Sequence, residues 1–112
     1  MSRVNLDGRL ICDTGEQAAT VARHLPEHAR LSRAEAGCLR FEVNAMKDPL
    51  IWEVSESFAS REAFDAHQAR VAASAWGAAT AGIRREYTVV EAEAEAEAEA
   101  EAEAEAEPDA RG

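Results

Sequence analysis

The order in which apolar residues repeat along this chain constrains its fold more than any other feature. Four segments alternate apolar and polar residues, which is the period of a half-buried β-strand, and two others repeat at every third or fourth position, the period of an amphipathic helix. They follow one another as strand, helix, strand, strand, helix, strand. The apolar positions of the four predicted strands are Val4, Leu6, Leu10 and Cys12; Leu39, Phe41, Val43 and Ala45; Leu50, Trp52, Val54 and Phe58; and Ile83, Tyr87 and Val89.

Each predicted helix follows a residue suited to cap its first turn. Asp13 or Thr14 precedes the first helix and Ser60 the second, and a short polar side chain there accepts a hydrogen bond from a free backbone N–H. Pro26 lies inside the first helical pattern, so we expect a kink or a break at that point. Gly77 is predicted to end the second helix. The two apolar stripes are Ala18, Val21, Ala22, Leu25 and Ala29, and Phe64, His67, Val71 and Ala75.

This order of elements predicts an α+β fold of the ferredoxin-like type, βαββαβ. A turn at Lys47-Asp48-Pro49 would join the second and third strands as an antiparallel hairpin. Because each element has a single apolar side, both helices are expected to cover one face of a four-stranded antiparallel sheet. The other face is predicted to be polar, with Arg9, Arg40, Glu42, Asn44, Glu53 and Ser55 on it.

The negative charge of the chain is concentrated in its C-terminal segment. The formal net charge is −10, yet residues 1–90 carry 11 Lys and Arg against 12 Asp and Glu. Residues 91–107 alternate Glu and Ala strictly, a pattern that buries no useful surface as a helix or as a strand. We therefore predict one folded domain at residues 1–90 and a disordered acidic tail at residues 91–112, which either solubilises the chain or binds a partner.

Several classes of function find no support in the sequence. The nearly neutral domain offers no basic stripe for nucleic acid, and no apolar run is long enough to span a bilayer. No apolar signal segment is visible at the N-terminus, so we expect a cytoplasmic protein in which Cys12 and Cys38 are buried thiols. The short motifs typical of nucleotide, flavin and dithiol sites do not occur, and we expect no cofactor.

One short motif imitates a metal site. His24-Leu25-Pro26-Glu27-His28 matches the HxxEH pattern of inverted zinc proteases. Zinc would require both imidazoles on one unbroken helical turn, together with a third ligand, and Pro26 disturbs that turn. We therefore expect no metal site, with His28 nearer than His24 to the apolar stripe.

Two polar residues fall on the apolar face of the predicted domain. His67 is in phase with Phe64, and it is either a hydrogen-bonded core residue or a group that transfers protons near neutral pH. Glu56 shares the apolar phase of its strand, where carboxylates are rare unless paired. It is either turned outward by a bulge, paired with an arginine such as Arg40 or Arg85, or in contact with His67.

Three segments of the chain together match the pattern of one family. They are Glu35-Ala36-Gly37-Cys38-Leu39-Arg40-Phe41, then Glu56-Ser57-Phe58 followed by Glu62-Ala63-Phe64-Asp65-Ala66-His67, and finally Arg84-Arg85-Glu86-Tyr87. They resemble the E-x-G-C-x-x-F/Y segment, the E-x-W/F … A-x-x-A-H segment and the closing strand of antibiotic biosynthesis monooxygenase (ABM) domains, a family that includes the quinol monooxygenases. The likeness covers roughly residues 4–90.

The resemblance implies a homodimer in which two sheets face each other as a dimeric α/β barrel, with a pocket between the helices and the sheet of each protomer. Several members of the family oxidise quinols or polycyclic phenols with O₂ and no cofactor, and others degrade haem or isomerise small metabolites. By resemblance, His67 is the catalytic candidate.

The chain departs from the family pattern at several positions. Quinol-oxidising members usually have a second histidine near the position of Ala72. Haem-degrading members have an axial histidine where this chain has Gly77 and a tryptophan where it has His67, although Asn5 corresponds to one of their asparagines. Haem degradation is therefore not expected, and quinol oxidation remains open.

We expect a cofactor-independent monooxygenase that acts with O₂ on a small phenolic or quinol-like aromatic. O₂ reacts far better with a phenolate than with a neutral phenol, whose pKa is about 10, so a base is needed, and His67 oriented by Glu56 would supply it. The alternatives are a non-catalytic dimeric binding or stress module of the same fold, and an isomerase. The expected substrate-binding residues are Phe41, Trp52, Phe64, Val71, Trp76 and Asn5.

Overall fold

A computed structural model describes residues 2–93 of the chain. The elements are β1 (Ser2–Ile11), α1 (Gly15–Arg33), β2 (Cys38–Ala45), β3 (Ile51–Phe58), α2 (Arg61–Ala72), α3 (Ala75–Ala79) and β4 (Arg84–Glu93). All neighbouring strands pair antiparallel, in the order β2-β3-β1-β4. This confirms the predicted α+β, ferredoxin-like fold around a four-stranded antiparallel sheet.

The core lies between the helices and one face of the sheet. Val4, Leu6 and Leu10 of β1 point into it and are at most 2% exposed, and they cluster with Val21 of α1 and Phe64 of α2. The alternate residues of β1 belong to the opposite, polar face, as the period of two in a strand requires. The helices therefore cover one face of the sheet, and polar side chains occupy the other.

Short polar side chains start each of the three helices in the described part of the chain. The side chains of Thr14, Ser60 and Ser74 each accept a hydrogen bond of 3.1 Å from the backbone N–H three residues further on. Such caps satisfy donors that the first helical turn leaves free. Of the two predicted caps for α1, the structure uses Thr14, and the cap at Ser60 is confirmed.

The helices differ from the prediction in two places. Pro26 does not break α1, which continues through it, and the proline is exposed, so its ring lies away from the packed side. The second helix ends at Ala72 and not at Gly77, because the Ser74 hydroxyl donates to the carbonyl of Val71 at 2.7 Å and caps a separate helix, α3. Gly77 lies within α3, where a Cβ atom would come within 2.1 Å of the Val71 carbonyl oxygen.

The last strand continues beyond the predicted end of the domain. β4 includes Glu91 to Glu93, and Glu91 pairs with Arg61 of α2 at 3.2 Å. The remainder of the predicted acidic tail, residues 94–112, lies outside the described residues. Within residues 2–93, no helix is both long enough and apolar enough to cross a membrane.

Candidate active site

His67 lies on the buried side of α2 and is fixed through its Nδ1 atom. Nδ1 is 2.6 Å from Oε1 of Glu35, and Oε2 of the same carboxylate accepts a hydrogen bond from Nε of Arg70 at 2.7 Å. Burial raises the pKa of Glu35, but the hydrogen bonds from Arg70 and His67 outweigh it and hold the pKa below its usual range. A carboxylate can only accept hydrogen bonds, so Nδ1 of His67 carries a proton and Nε2 of the neutral ring carries the lone pair.

Glu56 lies beside that second nitrogen. It belongs to the inward side of β3 and is 6% exposed, and its Oε1 is 3.5 Å from Nε2 of His67. Oε1 has no hydrogen-bond partner within residues 2–93. Burial, together with repulsion from Glu35 and Asp7, raises the pKa of Glu56 to about 7. The site therefore contains a carboxyl group that can be an acid or a carboxylate near neutral pH.

The other two interpretations of Glu56 are wrong. Its pairing with Leu6 and Phe41 is regular, and the irregularity in the hairpin lies on β2 between Cys38 and Arg40. Among the described residues, the one ion-pair contact of Glu56 is with His67 and not with an arginine.

Burial also sets the protonation of His67. The side chain is 2% exposed, and burial lowers its pKa, while the hydrogen bond and the negative charge of Glu35 act in the opposite direction. The neutral imidazole is therefore the form at neutral pH. At neutral pH the downward shift keeps His67 uncharged and able to accept a proton, and the upward shift lets Glu56 hold one, so the two side chains can act as a base and an acid.

A cavity of about 290 Å³ opens next to this pair, between α2, α3 and the sheet. An engineered cavity of about 150 Å³ accommodates benzene, so this one has room for a substituted aromatic ring. The cavity is lined by Leu6, His28, Val43, Val54, Glu56, His67, Gln68, Val71, Ala72, Trp76, Gly77, Ala81, Arg85 and Tyr87.

The predicted substrate-binding residues fall into two groups. Val71 and Trp76 line the cavity with Glu56 and His67. The other four, Phe41, Trp52, Phe64 and Asn5, do not line it.

The positions of three of these four residues explain the difference. Phe41 supports the imidazole from behind, with ring centroids 5.9 Å apart, and Phe64 packs on Phe58 at 5.6 Å. Asn5 lies on the polar face of the sheet, where its Oδ1 accepts a hydrogen bond of 2.7 Å from Ser57. The repeat of apolar residues along each helix or strand therefore identified its buried face. It did not identify which of the buried residues surround a cavity.

The sequence interpretation missed Glu35 as a site residue. Its signal was present, because Glu35 begins the first segment of the family resemblance, but 32 residues separate it from His67. Gly37 brings the two together. It has φ of +89°, and a Cβ atom there would lie 2.7 Å from Cβ of Ala63, one helical turn before His67. Glycine thus allows the loop that carries Glu35 to pack directly on α2.

His28 forms the wall of the cavity opposite the sheet. Its ring stacks on Trp76 with centroids 4.3 Å apart and planes 4° from parallel. Burial, followed by electrostatic repulsion from His67 and Arg70, lowers the pKa of His28 to about 3. As predicted, His28 is the more buried of the two α1 histidines. Among the described residues, no group of three or more His, Cys, Asp or Glu side chains is placed to hold a metal ion.

The two cysteines lie outside the cavity. Cys12 is buried and Cys38 is half-buried, and both are free thiols. Burial raises the pKa of each thiol. Both therefore stay protonated at neutral pH, which is typical of structural cysteines.

Solved structures share this fold. Rv0793 from Mycobacterium tuberculosis is 19% identical, with 79% of this chain and 92% of that chain covered and a TM-score of 0.62. SO0527 from Shewanella oneidensis is 23% identical, with coverage of 81% and 89% and a TM-score of 0.60. A Deinococcus radiodurans protein provisionally named an antibiotic biosynthesis monooxygenase is 21% identical, with coverage of 81% and 91% and a TM-score of 0.59. At these identities the likeness concerns the fold.

The sequence itself also matches a family. A comparison with curated proteins found no match. The model of the family described as antibiotic biosynthesis monooxygenase matches residues 14–79, which is more than half of the chain and contains Glu35, Glu56 and His67. This chain belongs to the antibiotic biosynthesis monooxygenase family.

Proposed function

We propose that this protein is a monooxygenase that oxidises a small phenolic or quinol-like aromatic with O₂, using electrons from the substrate. One observation carries the proposal: a buried, neutral His67 donates Nδ1–H to Glu35 and presents Nε2 to a cavity of ring size beside Glu56. Family membership agrees with it, since the Deinococcus radiodurans neighbour bears a provisional monooxygenase name.

His67 acts as the base in this proposal. A phenol has a pKa of about 10, so it is almost entirely neutral at pH 7 and reacts slowly with O₂ in that form. Nε2 of His67 accepts the hydroxyl proton, and the Glu35 carboxylate stabilises the imidazolium that results. The phenolate is the electron-rich species that O₂ oxidises.

Glu56 acts as the acid. Its raised pKa keeps a proton on the carboxyl group at the start of the reaction, next to the position where oxygen is reduced. With a hydroquinone the atoms balance as hydroquinone plus O₂ giving hydroxyquinone plus water. One oxygen atom forms a new bond to a ring carbon, the O–O bond breaks, and the second oxygen atom leaves as water after protonation by Glu56.

The test is O₂ uptake with a panel of hydroquinones, measured for the wild type, His67→Ala and His24→Ala. His24 is a half-buried histidine on α1 that does not line the cavity, so it controls for the loss of an imidazole. General-base catalysis contributes typically 10²–10⁴-fold, so we expect kcat to fall by about that factor in His67→Ala and to stay within about twofold in His24→Ala.

Three outcomes would contradict the proposal. Uptake unchanged in His67→Ala would eliminate the assignment of the base. Turnover of a substrate in the absence of O₂ would indicate an isomerase, and binding of aromatics without turnover would indicate a non-catalytic binding module.

We further propose that two copies associate through the polar face of the sheet. Arg9, Arg40, Glu42 and Glu53 are exposed there, and both signs of charge are present. Such a face can pair with its own two-fold copy through complementary charges. The family resemblance supports the same arrangement.

A further inference from the structure

The guanidinium group of Arg85 is a positive charge on the cavity wall without a carboxylate partner among residues 2–93. Arg85 is half-buried and lines the cavity, and the hydrogen bonds that it donates go to uncharged oxygens, among them the Tyr87 hydroxyl. Nη1 donates to the carbonyls of Thr80 and Ile83 at 2.9 and 3.0 Å, and Nη2 donates to the Thr80 hydroxyl at 2.7 Å.

Another arginine near the site is neutralised. Arg70 pairs with Glu35 at 2.7 Å, and the exposed Arg84, next to Arg85 in sequence, lies outside the cavity lining. Charges removed from water are normally paired, because desolvation is costly. The unpaired charge of Arg85 thus gives this part of the cavity a preference for an anion.

The sheet register separates Arg85 from the acid–base pair. Glu56 pairs with Leu6 of β1, and Arg85 pairs with Leu10 of the same strand. Four residues of an antiparallel strand span roughly 13 Å, so the two positions lie at different ends of the cavity floor. Tyr87 pairs with Gly8, between them.

The charge of Arg85 also affects the pKa values of other side chains that line the cavity. It opposes the effect of burial on Tyr87, whose pKa burial raises to about 12, and it contributes to the lowered pKa of His28. The guanidinium has five N–H donors, of which the bonds to Thr80 and Ile83 use three and the hydrogen bond to the Tyr87 hydroxyl uses another. The remaining donor can bind a ligand.

We propose that the substrate is a phenol or hydroquinone that carries a carboxylate, with the carboxylate bound by Arg85 and the ring hydroxyl facing His67. The proposal rests on the proposed function for the hydroxyl end and adds the substrate class of the same site. A guanidinium group is suited to this ligand because its hydrogen bond to a carboxylate is charge-assisted and therefore stronger than one between neutral groups.

A purely structural role for Arg85 is the competing explanation, because its bonds to Thr80 and Ile83 brace the loop between α3 and β4. Thr80→Val separates the two roles. It removes the hydroxyl that Nη2 bonds, but it keeps the guanidinium charge in the cavity.

The test is calorimetric titration of the full chain with 4-hydroxybenzoate and 4-hydroxybenzamide, which are nearly the same shape and differ in charge. Neither probe needs to be oxidised. We expect the wild type to bind the carboxylate at least about tenfold more tightly, a factor typical of a hydrogen bond to a charged group. Arg85→Gln should abolish this preference, whereas Arg85→Lys and Thr80→Val should retain most of it.

Three results would overturn the inference. They are equal affinity of the wild type for the two probes, failure of the wild type to bind either, and a preference for the carboxylate that survives in Arg85→Gln. The wild-type comparison stands even if Arg85→Gln does not fold. A preserved preference together with no uptake of O₂ on any hydroquinone would refute the proposed function alone.

Discussion

At the scale of single residues, three ionisable side chains of the site differ in what surrounds them. Glu35 bonds to Arg70 and His67 and is therefore held as a carboxylate. Glu56 is buried without such a donor, and burial raises its pKa to about 7. His67 lies between these two carboxyl groups, and its Nδ1 contacts Glu35 while its Nε2 faces Glu56.

Glu35→Gln is expected to shift the acid limb of the kcat/KM profile to lower pH. The Glu35 carboxylate raises the pKa of His67 against the effect of burial, so its loss lowers that pKa further. We also expect kcat to fall by about 10–100-fold, the usual effect of removing an outer partner of a functional histidine. The measurement is a pH–rate profile with Glu62→Gln, an exposed position of α2, as control. If the acid limb of Glu35→Gln lay at the same pH as that of the wild type, Glu35 would not be the group that positions His67 and raises its pKa.

Glu56→Gln is expected to stabilise the protein above pH 7 relative to the wild type. The folded pKa of Glu56 is about 7 and the ordinary value is 4.5, so the folded state holds the proton more strongly. The free energy of unfolding of the wild type therefore falls as pH rises from about 4.5 to about 7, and it falls by about 3 kcal/mol at most. Because glutamine cannot ionise, the free energy of unfolding of Glu56→Gln does not fall in this way as pH rises.

Urea denaturation at pH 5 and pH 8 measures the effect. The stability of Glu56→Gln relative to the wild type should be greater at pH 8 than at pH 5. Glu62→Gln, at an exposed position of α2, controls for the removal of a carboxyl group. A difference that is the same at both pH values would show that the environment of Glu56 does not penalise its charge.

At the scale of the elements, the short connection between α1 and β2 decides whether the site assembles. Glu35 lies in it, and its N–H donates to the carbonyl of Ser32 while its carbonyl accepts from Cys38. The carbonyl of Gly37 accepts a hydrogen bond of 2.8 Å from the N–H of Ala59, just after β3. The connection therefore holds Glu35 in place through backbone contacts on both sides.

Gly37→Ala should destabilise the protein by about 2–4 kcal/mol and lower kcat. An alanine is strained at φ of +89°, and its Cβ would overlap with Ala63, so the connection must move away from α2. Gly82→Ala is the matched control, since nothing lies within 4 Å of the added Cβ. Thermal denaturation and O₂ uptake measure the two effects, and wild-type stability of Gly37→Ala would refute this account of the connection.

The sequence predicted the elements better than it predicted their ends. The alternation in β1 and the caps at Thr14 and Ser60 are local signals, and local signals determine strands and helix starts. The separate helix α3 was missed because a glycine inside a five-residue helix looks like the end of the preceding one.

The site was predictable in part for a related reason. His67 and Glu56 could be identified because each breaks the apolar pattern of its own element. Glu35 and Arg85 could not, since the role of each depends on a contact or a cavity formed by distant parts of the chain. Phe41 and Phe64 lie on the same apolar face as the residues that line the cavity. Periodicity identifies that face, but it does not distinguish residues that line a cavity from residues that pack behind them.

At the scale of the whole molecule, the polar face of the sheet takes no part in the cavity of the candidate site. Arg9, Arg40, Glu42 and Glu53 are exposed on it, although it belongs to the central strands of the fold as well as to the edge. A single ion pair between exposed charged side chains contributes little to binding. A complementary set of such pairs, however, fixes the relative position of the two surfaces in an interface.

Sedimentation should therefore show a dimer at micromolar concentration that shifts towards monomer as salt is added, because salt screens interactions between charges. Glu53→Lys should weaken the dimer by about tenfold or more, since it places a like charge in the interface. Glu27→Lys makes the same charge change on the exposed side of α1 and should leave the dimer intact. A wild-type monomer at micromolar concentration would refute the proposed assembly.

Oxygen-isotope labelling tests the central claim most directly. The wild type and His67→Ala are supplied with a hydroquinone and O₂ labelled with oxygen-18, and the product is analysed by mass spectrometry. The proposed reaction predicts one labelled atom in the hydroxyquinone, the other in water, and labelling at least about a hundredfold slower in His67→Ala. An unlabelled quinone, or labelling at the same rate in His67→Ala, would contradict the assignment of this site as a monooxygenase centre.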